Sequence, residues 1–129
     1  MKIFILEDNT IRIETFKKLA TKTWDASNLK IFIATDVEEG KIILKNNQPF
    51  DLAFLDHDLG GEIYVPSENE NTGYQLAKFI EKENIKIDTI VIHSHNPSGA
   101  KNMNDILSNS HVIQFSYLIE HWSELFKGE

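Results

Sequence analysis

Five short apolar runs, each followed by a stretch with helical periodicity, constrain this chain more than any other feature. The runs are KIFIL (2–6), LKIFIA (29–34), FDLAFL (50–55), DTIVIH (88–93) and HVIQF (111–115), rich in Ile, Val and Phe. Runs of this length read as buried parallel strands. Between and after them, apolar residues recur at helical spacing. Residues 10–24 align Ile13, Phe16, Leu19 and Ala20, with Thr10 as the expected N-cap. Residues 36–46 follow Thr35 and Glu38, which have capping-box spacing. Tyr74, Ala77 and Ile80 mark a helix over 73–84, and Ala100, Met103, Ile106 and Leu107 one over 100–108. Leu118, Trp122, Leu125 and Phe126 mark the last, over 117–126. The alternation predicts an α/β fold: a doubly wound, five-stranded parallel sheet in a flavodoxin-like three-layer sandwich, with residues 1–129 as one domain.

Composition narrows the function classes. No apolar run approaches the ~20 residues needed to cross a bilayer, and Met1 leads directly into a strand without a secretory pattern. The expectation is a cytoplasmic protein with no membrane partner. With no cysteine there is neither a disulfide framework nor a thiolate zinc site. A net charge of −7 argues against broad duplex nucleic-acid binding, which needs many Lys and Arg contacts to phosphate. A small phosphorylated ligand remains compatible, because a bound cation reverses the local charge.

In an open parallel sheet, ligands bind beyond the carboxyl ends of the strands. There the chain carries Glu7-Asp8-Asn9 with Arg12, then Asp56-His57-Asp58-Leu59-Gly60-Gly61, and then His93-Ser94-His95-Asn96-Pro97-Ser98-Gly99. The fold brings Glu7, Asp8, Asp56 and Asp58 near one another, and carboxylates packed together repel unless a cation neutralises them. Hard oxygen donors suit Mg²⁺ or Mn²⁺, and an added imidazole tilts the choice toward Mn²⁺. The connection 60–72, GGEIYVPSENENT, is longer than most in α/β units. It is read either as an insertion or as a lid, with Tyr64 touching a ligand.

This layout resembles response-regulator receiver domains. There the acidic pair (here Glu7, Asp8) and an aspartate (Asp56) hold Mg²⁺, the aspartate accepts a phosphoryl group, and a hydroxyl residue (Ser94) follows strand four. A receiver also places a lysine after strand five, where this chain has Gln114-Phe115-Ser116. Its loss removes the fixed counter-charge to a phosphoryl group and counts against a phosphorelay acceptor. The blocks EDNTIR, LDHDLGG, TGYQLAKFI and IHSHNPSGAKNM are more similar to a receiver-derived family, the cyclic-phosphate-processing receiver domains. That resemblance implies metal-dependent processing of cyclic phosphates on nucleotides or RNA ends.

On that reading Glu7, Asp8 and Asp56 hold the metal, and His57, His93 and Asp58 serve acid–base chemistry. Arg12, Ser94, Asn96, Gly99 at a helix start and Tyr64 bind the substrate. The competing reading is a non-catalytic degenerate receiver that docks a partner or binds a nucleotide. Tyr117, Trp122 and Phe126 then offer a face for a homodimer.

Overall fold

The computed structural model describes residues 1–61 and 64–127. Its elements run β1 (Lys2–Leu6), α1 (Thr10–Thr23), β2 (Lys30–Ala34), α2 (Val37–Asn47), β3 (Phe50–Leu55) and α3 (Gly73–Lys82). They continue with β4 (Ile87–Ile92), α4 (Pro97–Ile106), β5 (Ser110–Val112), α5 (Phe115–Glu120) and α6 (Trp122–Leu125). The strands form one five-stranded sheet in the order β2-β1-β3-β4-β5, with all four pairings parallel. Chain order reverses between β1 and β3. This is the point where a crevice opens in a doubly wound sheet.

Strand alternation sorts the core onto two faces. Phe4 and Leu6, Ala53 and Leu55, and Ile90 and Ile92 pack with residues of α2, α3 and α4, including Leu44, Leu76 and Met103. Ile3 and Ile5, Leu52 and Phe54, and Val91 pack with Phe16 and Ala20 of α1, Leu118 of α5 and Trp122 of α6. Aromatic rings dominate the second layer. Phe16 stacks on Phe54 at 4.7 Å between centroids, and Trp122 stacks on Phe54 at 5.5 Å. The Trp122 indole N–H is satisfied by Thr23 Oγ1 at 2.8 Å.

Several boundaries differ from the sequence expectation, each for a local reason. Asn9, not Thr10, caps α1, its Oδ1 accepting from the Arg12 amide at 3.1 Å. Asp36 caps α2, accepting from the Glu39 amide, while Glu39 Oε1 accepts from the Thr35 amide. The side-chain cap thus falls one residue beyond Thr35, and Glu39 rather than Glu38 reaches back, to the Thr35 amide. Helix α4 starts at Pro97 rather than 100, because Asn96 caps it and proline's fixed φ suits the first turn. Strand β5 keeps three residues, and Phe115 starts a helix in which its ring packs on Phe16 at 5.4 Å. The expected helix over 117–126 is two short ones, α5 and α6, meeting at His121. Trp122 is buried and Phe126 packs on Trp24 and Phe54, which leaves Tyr117 as the exposed member of that aromatic trio. Among the described residues, no helix is long and apolar enough to cross a membrane.

Candidate functional site

The alternation that sorts the core continues past the strand ends and decides which polar residues meet. Glu7 continues the side of Ile3 and Ile5, Asp56 that of Leu52 and Phe54, and His93 that of Val91. All three therefore emerge on the α1 face. Their ligand-type atoms lie within 4.8 Å of one another, and all three residues are buried. Glu7 Oε2 accepts from the amides of Asp8 and Asn9 at 3.1 Å each, and Glu7 Oε1 lies 2.9 Å from His93 Nε2. Asp56 Oδ1 accepts from the His57 amide at 2.8 Å. Arg12, one turn into α1, reaches back over the pair. Its Nη1 is 3.7 Å from Glu7 Oε1 and 3.9 Å from Asp56 Oδ2, and its guanidinium lies 5.2 Å from the centroid of the Phe115 ring.

The two carboxyls respond in opposite directions. Burial pushes Asp56 above its usual value, and the Glu7 charge adds to this, against the pull of His93, the His57 amide and Arg12. Burial acts on Glu7 in the same sense. There the hydrogen bond and charge of His93, the Asn9 amide and Arg12 together outweigh it and hold Glu7 below the usual range. His93 itself is enclosed by Phe16, edge-on at 5.1 Å, and by Phe115 at 6.3 Å. Among the described residues its Nδ1 is the one buried side-chain polar atom without a hydrogen-bond partner.

A cleft of about 290 Å³ opens over this cluster, lined by Glu7, Asp8, Arg12, Asp56, Ser94 and His95 among others, with Asp58, Gly61 and Tyr64 at its side. Asp8 lies on the opposite parity from Glu7 and ties the loop down, its Oδ2 accepting from the Gly61 amide at 2.8 Å. Gly60 and Gly61 both take φ of +77°, a conformation that disfavours other residues there. Tyr64, at φ 55°, is 66% exposed at the rim. Ser94 is buried with its Oγ accepting from the Asn96 amide at 3.0 Å, and still borders the cleft.

His57, Asp58, Asn96 and Gly99 form a second polar centre. His57 follows the parity of Ala53 and Leu55 and is completely buried on the α4 face. Its Nδ1 lies 2.7 Å from Asp58 Oδ1 and its Nε2 2.9 Å from Ser67 Oγ. Asp58 also accepts from the Tyr64 and Val65 amides at 2.6 and 3.2 Å and from Asn96 Nδ2 at 3.0 Å. Burial raises its pKa, but the donors from His57, Asn96 and Tyr64 prevail and hold it below the usual carboxylate range. The Gly99 amide is bound by Asn96 Oδ1 at 3.0 Å, and a Cβ at Gly99 would lie 2.4 Å from His57 Cγ. Neither His57 nor Gly99 lines the cleft over Glu7 and Asp56.

The long connection is anchored at its base. Asp58 and Thr72 form an antiparallel bridge, Thr72 Oγ1 donates to the carbonyls of Ser67 and Asn69, and Asn71 Oδ1 accepts from the Val37 amide at the start of α2. Ser67, Thr72 and Asn102 are the members of this network that the sequence did not single out. Parity would have separated His57 from Asp56 in advance. Ser67 carries no local signal, because its position depends on closure of the whole segment.

Two carboxylates and one imidazole within 4.8 Å fit a divalent cation, with oxygen donors suited to Mg²⁺ and the nitrogen favouring Mn²⁺. Burial first, and then the Glu7 charge, raise the pKa of Asp56, and a cation bound here would offset both.

The comparisons with known proteins agree with this architecture. A family model described as "Cyclic-phosphate processing Receiver domain" matches residues 3–109. Among solved structures, the response regulatory domain of protein mrkE from Klebsiella pneumoniae superposes with a TM-score of 0.71 at 20% identity, covering 97% of this chain and 91% of that one. A response regulator receiver domain from Rhodospirillum rubrum gives 0.69 at 16% identity, covering 97% and 90%. The Mn²⁺-bound form of response regulator Rcp1 gives 0.67 at 14% identity, covering 96% and 90%. At these identities the structures speak for the receiver fold alone. No curated protein matches the chain.

Proposed function

The chain belongs to the cyclic-phosphate processing receiver domain family, and from that membership we propose that its cleft hydrolyses cyclic phosphates on nucleotides or RNA ends with a divalent cation, Mg²⁺ or Mn²⁺. The observation that carries this reading is the convergence of Glu7, Asp56 and His93 beneath a cleft that also presents Arg12. Glu7, Asp56 and His93 would hold the cation, with Asp8 beside them at the cleft wall. When bound, such an ion lowers the pKa of water and polarises the phosphoryl group.

The side chains supply the rest. Arg12 carries a permanent charge on the cleft wall, and its ring contact with Phe115 fixes the guanidinium where a phosphoryl oxygen is bound. Ser94, Asn9 and His95 border the same space and offer donors to the remaining oxygens, and Tyr64 offers an aromatic face at the rim for a base. Until a cation binds, His93 keeps Glu7 ionised through the Nε2–Oε1 hydrogen bond, a contact that metal ligation by the same nitrogen would replace. His57 has both ring nitrogens engaged beyond the cleft, so in this proposal it and Asp58 fix the loop rather than exchange protons with the phosphate. Asn96 and Gly99 act with them as supports.

The test is turnover of 2′,3′-cyclic mononucleotides by the purified chain with Mg²⁺ or Mn²⁺. The reading expects metal-dependent ring opening that Asp56→Asn and Arg12→Ala both suppress. Metal-independent turnover, or rates in either variant undiminished from the parent chain, would contradict it. A binding-only module is the second reading, favoured by the Arg12 guanidinium already lying within 3.9 Å of both carboxylates. It expects saturable nucleotide binding without turnover under any metal.

A further inference from the structure

We propose that Ser67 is a nucleophilic hydroxyl, served by a Ser67–His57–Asp58 relay, that takes small uncharged carboxylic esters in a second cavity beside α4. This activity is separate from the cation cleft.

The argument begins with proton direction. Asp58 lies 2.7 Å from His57 Nδ1, and its oxygens also receive the Tyr64 and Val65 amides and Asn96 Nδ2. A carboxylate so placed accepts, so Nδ1 carries the ring proton and Nε2 presents a lone pair. That lone pair faces Ser67 Oγ at 2.9 Å. Asn102 Nδ2 also lies 2.9 Å from Ser67 Oγ and can only donate to it. The serine proton therefore has His57 Nε2 as its acceptor, the arrangement that activates a hydroxyl nucleophile. Gly99 backs the ring so closely that a Cβ there would lie 2.4 Å from His57 Cγ, and both ring nitrogens are held by hydrogen bonds.

The surroundings identify the ligand class. The half-buried Ser67 borders a cavity of about 380 Å³ lined by Val65, Pro66, Glu68, Asn96, Ser98 and Asn102 among others. Among the described lining residues no Lys or Arg is present and Glu68 is the one acidic side chain, so the cavity offers no cationic side chain to a phosphate and suits an uncharged ester better. Asn102 Nδ2 and the Ser98 amide, the first-turn N–H of α4 that Asn96 does not already bind, provide donors for charge developing on a carbonyl oxygen. Tyr64 borders both this cavity and the cation cleft and Asp58 only the cleft, whereas Ser67, Ser98 and Asn102 border only the cavity.

The reaction balances with water alone. Ser67 Oγ bonds to the carbonyl carbon as its proton passes to His57 Nε2. The bond to the alcohol oxygen breaks, and the alcohol leaves with that proton. Water then attacks the acyl carbon and gives a proton to Nε2, the Ser67 Oγ–carbon bond breaks, Ser67 regains its proton, and the carboxylic acid departs.

The experiment is run on the full chain with excess EDTA, so that failure of the cation-site reading does not affect it. A fluorophosphonate probe and p-nitrophenyl acetate serve as reagents, with peptide mass spectrometry to place the label. The expected result is modification at Ser67, lowered at least tenfold in Ser67→Ala and retained in Ser123→Ala, a change at an exposed serine of α6 away from both cavities. Because the chain has no cysteine, a second arm compares Ser67→Cys with Ser98→Cys. Iodoacetamide should alkylate position 67 at least tenfold faster. Labelling elsewhere or nowhere on protein with an intact melting transition, or equal alkylation of the two cysteine variants, overturns the proposal.

Discussion

His93 and His57 are both completely buried at the carboxyl edge of adjacent strands, yet they sit in opposite kinds of environment. His57 has a partner on each ring nitrogen, an anionic carboxylate anchored by four donors, and a glycine pressed against its ring. His93 has one side-chain partner, leaves Nδ1 unpaired among aromatic rings, and stands beside two carboxyls that burial and charge push in opposite directions. A fully paired network holds its side chains in one fixed orientation, whereas an unsaturated buried cluster under an open cleft is what a cation completes. The same parity rule that builds the two apolar layers thus separates two chemistries that are adjacent in sequence, at Asp56 and His57.

The comparison breaks most visibly at Asp56. Asp56→Asn should lower cation affinity and any cation-dependent turnover by about 100-fold or more, at the upper end of the about 10–100-fold typical of partners that only support a ligand. Calorimetry and a product assay check this. Arg12→Ala removes a charge-assisted contact worth about 1.5–3 kcal/mol, so the KM for a cyclic phosphate should rise about 10–100-fold while the His57 side is untouched. On that other side, Gly99→Ala forces a methyl group onto the His57 ring. Overpacking of this kind costs about 1–3 kcal/mol, to be read as a lowered denaturant midpoint.

The smallest effect is in the pH dependence of stability. Glu7 and Asp58 have lowered folded pKa values. Their contribution is present above the unfolded values of about 4 and is lost as pH falls through the folded ones. Asp56 is raised and acts with the opposite sign, favouring the fold when protonated and opposing it as pH rises through its folded value. Asp56→Asn should therefore melt no lower than the parent chain at pH 7, and any advantage should disappear on acidification. A melting temperature that fell at pH 7 and recovered in acid would reverse the assignment.

Much of this was legible in the residues. Apolar runs such as FDLAFL have too few polar side chains to face water on either side, so five of them with helical stretches between specify a covered parallel sheet. The acidic residues after β1 and β3 and the polar run after β4 converge because the switch point lies between β1 and β3. Capping was shifted by one residue at both α1 and α2, since Thr10 and Thr35 compete with Asn9 and Asp36, whose side chains are the better acceptors. The short β5 follows from Phe115 turning into the aromatic layer instead of continuing the edge. Ser67 could not be found locally. Its hydroxyl is brought to His57 by Thr72, Gln75 and Asn102, residues distributed over two helices and a loop end.

Titration of Mn²⁺ into the purified chain by calorimetry tests the central assignment most directly. One saturable site per chain that disappears in Asp56→Asn is the result expected from a cation held by Glu7, Asp56 and His93. No binding to the parent chain, or undiminished binding to the variant, would contradict it.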